Sequence, residues 1–534
     1  MIMVINLPIL IVTRVRIPHK ENAMQTPQTH RTISRIGLIA FWAALVIAVA
    51  LIALPAIGTF LLSFQNYRMT QGFFSPFVGL RNYQALFQSP EYGVSLLQTI
   101  KFSALSALTL FAAGALAGYL LRGIALRWLR HALCTVLLVP LLVPGGLWAH
   151  AFFAVFSTQA VQSLVLLALW CGIKYIGLAA LLVTAALAQG NRSATAPLLS
   201  AGAGALGLFA LLGLQDYMFL RMLSPLSAMQ SSMDMFIYHS AFTLAQLSVS
   251  SALTMLAVVL RAVMTAIVAW PVAALLLRLF PKKAEALQTT TKDRLLSLLA
   301  AGAVTVAILV VLAVVSRGAP LASMANVLHI YPVYILLAFV GAAVNTGLCY
   351  CLARPVITAR LPALRGGSTA FLLLLTALGA APIFAGGYLQ ARALGLVNTF
   401  FPVLFSGVGS VLGAWPLVFA ARAMGVTDDA QWRQRMWRPS LALLAVSAAL
   451  RMNDAVPSTI YLPQADLMHP LQALSNIQSS LSFLQKVGQE PTLPLFSIIA
   501  LIALVSLLLP TILLLVVRTV FTEQETLGLG LPTK

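Results

Sequence analysis

Residues 281–294 read Pro-Lys-Lys-Ala-Glu-Ala-Leu-Gln-Thr-Thr-Thr-Lys-Asp-Arg. This charged, Thr-rich break separates two long apolar stretches. A bilayer core needs roughly 20 apolar residues per helix. Before the break, runs of that length cover 37–63, 95–121, 131–157, 161–188, 196–218 and 245–280. After it, they cover 295–315, 331–353, 369–388, 398–421, 439–462 and 494–518. The expected fold is all-α: a polytopic membrane protein of about twelve transmembrane helices in two pseudo-equivalent six-helix halves. Residues 37–280 form a first module and 295–520 a second. A cytoplasmic linker (281–294) joins them, flanked by a basic N-terminal tail (1–36) and a C-terminal tail (521–534).

Composition supports lipid as the solvent. The 534 residues are 60% hydrophobic and 9% charged, with a mean hydropathy of +0.94. A soluble domain carries about 25% charged residues. The net charge of +20 is explained by Lys and Arg gathering in cytoplasmic loops, and no nucleic-acid partner is expected. With the N-terminus placed inside, 23 of the 33 Lys and Arg residues fall in cytoplasmic segments and seven in external ones. Both termini are therefore expected in the cytoplasm. Met1–Leu10 is apolar but has no charged region before it and no small-residue cleavage site after it, so no signal peptide is expected. Met24 is an alternative start. Cys134, Cys171, Cys349 and Cys351 lie in apolar runs without metal-site spacing and read as packing residues.

The halves echo each other. The fifth span ends in Gln215-Asp216 and the eleventh in Asn453-Asp454, and each Asp is followed nine residues later by a proline, Pro225 and Pro463. Such duplication is how many transporters build a path between two halves.

Gly79-Leu80-Arg81-Asn82-Tyr83-Gln84-Ala85-Leu86-Phe87 resembles the G-L-x-N-Y-x-x-L-F segment that follows the first helix in carbohydrate-type ABC importer permeases. Leu394-Gly395-Leu396-Val397-Asn398-Thr399 is similar to their L-G-L-x-N-T. Met452-Asn453-Asp454 to Tyr461-Leu462 resembles W-N-(D/E)-F…L with Met for Trp, and Asp216 falls where the partner subunit commonly has F-D. Two modules on one chain resemble the fused permeases of ferric-iron and thiamine importers. The resemblance implies the bacterial inner membrane, a separate ABC ATPase dimer that uses ATP, a periplasmic solute-binding protein, and no cofactor in this chain. The external loops 64–94, 219–244 and 463–493 would receive the solute.

The family's cytoplasmic E-A-A-x3-G docking loop is where this sequence departs. In the first half only Ala188–Ser193 occupies the place. In the second, Phe419-Ala420-Ala421-Arg422-Ala423-Met424-Gly425 keeps the A-A-x3-G spacing with Phe for Glu, and Pro439 stands one residue late. Asp428, Asp429, Arg433, Arg435 and Arg438 follow, with Trp432 and Trp437. They read either as an ATPase-docking surface or as positive-inside anchoring with interfacial tryptophans.

Charged residues in spans are functional candidates by default. Asp216 and Asp454, beside Gln215 and Asn453, either line a solute path or cap helix ends. Arg261 reads as a pore residue or as half of an ion pair with an Asp of the other half; the alternative is snorkelling. Lys174 has the same alternatives, whereas Lys101 is close enough to a span end to snorkel. Prolines 140, 144, 271, 332 and 416 interrupt spans. The runs Ala112–Gly118 and Gly407–Gly413 permit close helix packing. No Walker A loop and no G-x-S-x-G elbow is present, so the chain is not expected to be an enzyme. The permease of an ABC importer is the leading expectation. An ion-coupled secondary transporter and a non-transporting scaffold remain alternatives.

Overall fold

The computed structural model describes residues 42–43, 46, 50, 53–68, 70–156, 162–188, 195–210, 232–279, 291–319, 321–359, 361–379, 384–405, 413–474, 476–477 and 495–520. The described chain is all-helical, with one isolated antiparallel bridge between Gln65 and Phe77. In the first half the helices are α1 (Leu54–Ser63), α2 (Arg81–Gln88), α3 (Pro90–Gly123), α4 (Arg127–Leu142), α5 (Gly145–Val155), α6 (Leu164–Lys174), α7 (Ile176–Ala188), α8 (Ala196–Ala210), α9 (Met233–Tyr238) and α10 (Leu247–Leu279). In the second they are α11 (Thr291–Val315), α12 (Leu321–Leu328), α13 (Tyr331–Thr358), α14 (Pro362–Gly379), α15 (Phe384–Ala393), α16 (Phe400–Phe405), α17 (Ala414–Ala423), α18 (Asp429–Arg435), α19 (Trp437–Arg451), α20 (Val456–Tyr461) and α21 (Leu495–Val520).

Five of these helices contain a stretch long and apolar enough to cross a membrane: Pro90–Gly123, Leu247–Val268, Leu298–Gly318, Tyr331–Thr358 and Leu495–Val517. A sixth would be the pair α4–α5, bent by 102°. This is a multi-pass membrane architecture among the described residues. Several expected straight spans are instead broken. Pro144, at the junction of α4 and α5, cannot donate to the ladder and disfavours helix at Val143. The expected span 161–188 divides at Tyr175, and 439–462 divides between Arg451 and Val456. Pro332 and Pro416 lie in first helical turns and interrupt nothing, because an unbonded N–H is the rule there.

The two halves pack in the same way. In each, the first helix lies on the last (α1 on α10, α11 on α21) and the second long helix lies on the fifth-span helix (α3 on α8, α13 on α19). Each half's first helix also crosses to the other half's third-span unit: α1 rests on α15, and α11 rests on α4. The last helices follow, α10 on α14 and α15, α21 on α4. The halves are thus interlocked through exchanged first helices.

Small residues permit these approaches, as membrane interfaces require. A Cβ on Gly114 would stand 2.7 Å from that of Ala179, and one on Gly118 would stand 2.8 Å from Val183 Cγ2. Gly177 is tighter, with Leu137 O only 2.4 Å from where its Cβ would be. The Ala112–Gly118 run therefore packs as its composition suggests. Of Gly407–Gly413, residues 407–412 lie outside the described residues, and Gly413 meets Leu443. All four cysteines are free thiols; Cys134, Cys171 and Cys349 are buried and Cys351 is half-buried.

Candidate functional site

Arg261 sits midway along α10 and is fully buried. Its Nη2 donates to both carboxylate oxygens of Asp234, at 2.9 and 2.8 Å. Asp234 belongs to the first turn of α9, a helix of six residues that is held at both ends. The Met233 N–H donates to Thr99 Oγ1 of α3 at 2.9 Å, and Ser250 Oγ of α10 donates to the Ile237 carbonyl at 2.8 Å. The partner of Arg261 is therefore in its own half, which corrects the expectation of an aspartate from the other. Arg261 Nε and Nη1, with Ser251 Oγ and Thr265 Oγ1 on the same helix, are buried without hydrogen-bond partners among the described residues. In the sequence, Asp234 falls within the expected external loop 219–244 and is not a site candidate. The available signal was its isolation: it is the sole acidic residue between Asp216 and Glu285.

Asn453 ties the halves together. Its Nδ2 donates to Leu142 O at 3.2 Å and to Ser506 O at 3.1 Å, and its Oδ1 accepts from Tyr331 Oη at 3.1 Å. Both acceptors are carbonyls without a normal helical partner. Leu142 ends α4 at the break, and Ser506 lies four residues before Pro510, which has no N–H to offer. The Asn453 amide thus repairs two proline-related defects in two different halves.

Asp454 is exposed, and its Oδ1 accepts from the Val456 N–H at 3.2 Å at the entry to α20. Behind it, the His469 ring is wholly buried between Met452 O, 3.2 Å from Nε2, and the Leu471 N–H, 3.2 Å from Nδ1. Only the neutral Nε2–H tautomer satisfies both. Gln215 and Asp216 lie outside the described residues. Lys174 is buried at the C-terminal turn of α6, where the helix carbonyls favour a cation. Lys101 is exposed on α3, as snorkelling requires.

Just past the α4–α5 break, Trp148 and Trp170 stack with centroids 4.7 Å apart. Each indole N–H donates to the other residue's carbonyl, at 3.3 and 3.1 Å. Phe152 packs beside them, and the cluster continues into Leu471, Leu474, Ile498 and Ile502 of the second half. Apolar side chains fill the seam at this level.

The candidate docking loop is built separately. Ala420 and Ala421 are wholly buried against α13, so they serve packing. Gly425 takes φ +63° and closes α17, with the Val426 N–H on Ala421 O at 2.8 Å, a left-handed turn that favours glycine. Asp428 caps α18, its Oδ1 accepting from the Ala430 and Gln431 N–H groups at 2.9 Å each. Asp429 pairs with Arg354 of α13 through two bonds of 2.9 and 2.6 Å. The Arg354 hydrogen bonds hold its carboxyl below the usual carboxylate range. Arg435 donates to Met424 O at 2.8 Å. Trp432 is buried against Tyr350, not interfacial, while Trp437 is exposed. Of the charged residues assigned to docking, Arg433 and Arg435 are exposed.

Among the described residues no group of three His, Cys, Asp or Glu could hold a metal ion. Comparison with protein-family models, curated proteins and solved structures finds no match to this chain.

Proposed function

We propose that this chain is the membrane permease of a bacterial ABC importer, with about twelve passes in two modules, 37–280 and 295–520, and both termini in the cytoplasm. It would form the solute path in the inner membrane, with a separate ATPase dimer driving it and a periplasmic solute-binding protein feeding it. The observation that carries this reading is the reciprocal crossing of α1 onto α15 and α11 onto α4. Two pseudo-equivalent bodies that share a seam are the architecture alternating access needs. The short helix α18, capped by Asp428, anchored by buried Trp432 and presenting exposed Arg433 and Arg435, supports a docking role for the loop at 420–438.

One observation favours a second reading. Asp234, paired with Arg261, gives an ion-coupled secondary transporter the buried carboxylate that the sequence alone did not offer. One experiment separates the two. The tagged protein is purified from its native membrane and tested for a co-purifying P-loop ATPase, and uptake is measured in cells depleted of ATP or of the proton gradient. The importer reading expects the ATPase and loss of uptake with ATP. No ATPase, with uptake that survives ATP depletion and collapses with the gradient, overturns it.

A further inference from the structure

The connection between α1 and α3 is a rigid platform that displays large apolar side chains. The Gln65–Phe77 bridge is closed by the Asn66 N–H on Pro76 O at 2.9 Å and the Val78 N–H on Phe64 O at 2.8 Å. Asn82 Nδ2 clamps it, donating to Ser63 O and Gln65 O at 2.9 Å each, and Tyr83 Oη donates to Ser63 Oγ at 2.8 Å. Gly72 and Gly79 supply the left-handed turns, at φ +56° and +61°. On this frame Phe74 is 94% exposed, Phe77 76%, Phe87 64% and Leu80 60%. A folded soluble surface does not hold such a cluster bare.

Three observations identify what covers it. The platform joins the end of α1 to the start of α3, and no charged residue lies between Arg35 and Arg68, so it stands where a long apolar run ends. Its exposed apolar surface continues along α3 through Val94, Leu97, Leu108 and Leu116, the outward stripe of a helix able to cross a membrane. Its charges are also of one sign: Arg68 and Arg81 are exposed, and no acidic residue occurs from 53 to 90. Aromatic rings beside arginine at a span end match the headgroup zone of a bilayer.

We propose that this platform is a membrane-interface anchor, with Phe74, Phe77, Leu80 and Phe87 in the headgroup–acyl boundary and Arg68 and Arg81 on lipid phosphates. The anchor holds for either transporter class. It removes 64–88 from the loops open to a solute-delivering protein.

Spin labels on single cysteines at Phe74, Phe77 and Phe87 test it, in vesicles of phosphatidylcholine with phosphatidylglycerol. Thr427→Cys is the aqueous control and Leu108→Cys the lipid control; the parent protein corrects for its own thiols. Expected is an oxygen-to-nickel-chelate accessibility ratio between those of the controls, rising with the phosphatidylglycerol fraction and losing that rise in R68Q/R81Q. Labels at 74 and 77 as open to the chelate as Thr427→Cys would overturn the anchor and leave the platform to a protein partner. An unchanged lipid dependence in R68Q/R81Q would overturn the role of the arginines. Photolabelling of the unmodified protein by a lipid-borne diazirine provides a check free of variants. Adducts between 74 and 87 support the anchor, and their absence alongside labelled α3 contradicts it.

Discussion

The Arg261–Asp234 pair gives the sharpest test of how this membrane body is held together. Its N–O distances of 2.8 and 2.9 Å place the charge centres about 4 Å apart, where an effective dielectric near 20 gives roughly 4 kcal/mol of attraction. Both side chains are out of water, at 2% and 10% exposure. Removing one partner therefore strands the other charge, which costs about 3–5 kcal/mol. Replacing both by apolar residues of similar size removes that penalty, and such replacements are often neutral or stabilising by about 1–4 kcal/mol. Arg261→Met and Asp234→Leu should each lower the apparent Tm in detergent by several degrees, and R261M/D234L should recover most of the loss. The assay is a double-mutant cycle on purified protein, read by thermal unfolding. Single effects below about 1 kcal/mol, or a double variant equal to the sum of the singles, would refute the pairing. Uptake by the recovered double variant then separates roles: normal transport makes the pair scaffold, and lost transport makes it part of the path.

Asn453→Ala should destabilise by about 1–3 kcal/mol, since it orphans two buried carbonyls. The cost should shrink in a Pro510→Ala background, where residue 510 regains an N–H for Ser506 O; equal costs in both backgrounds would contradict the repair role. Gly177→Ala should destabilise by about 1–3 kcal/mol, because its Cβ would press on the Leu137 backbone. Gly123→Ala, which meets nothing, serves as the neutral comparison in the same thermal assay. Asp429 has a depressed carboxyl pKa, so its contribution is present above the ordinary carboxylate range and fades as pH falls through the folded-state value. Tm measured against pH should therefore show an acid-side loss that is smaller in Asp429→Asn; identical acid limbs would remove Arg354 as its partner.

Membrane character was legible because lipid demands long apolar runs, and nothing else produces Leu495–Val517 or Leu298–Gly318. The small-residue stripe at Gly114 and Gly118 was legible for a similar reason, since it has little use but close packing. Pro144 was visible as an interruption, but a 102° bend is a tertiary outcome that the proline only permits. Asp234 was not singled out because a six-residue helix packed between α3 and α10 leaves no periodic signal. Asn453 was singled out for a solute path, whereas its amide is occupied by carbonyls that Pro510 and the Leu142 break set free. In the G-L-R-N-Y-Q-A-L-F stretch, Gly79, Asn82, Tyr83 and Leu86 build the platform, while Phe87 is left outside.

The crossing of α11 onto α4 has a consequence for biogenesis. When α4 leaves the ribosome, the helix that will cover its flank has not been translated. Everything from Leu142 to Thr291 must be added first, which takes on the order of ten to thirty seconds at ordinary elongation rates. During that interval the nascent first half has an open side, and lipid or the insertion machinery must occupy it. Maturation of the N-terminal half is thus timed by synthesis of the C-terminal one.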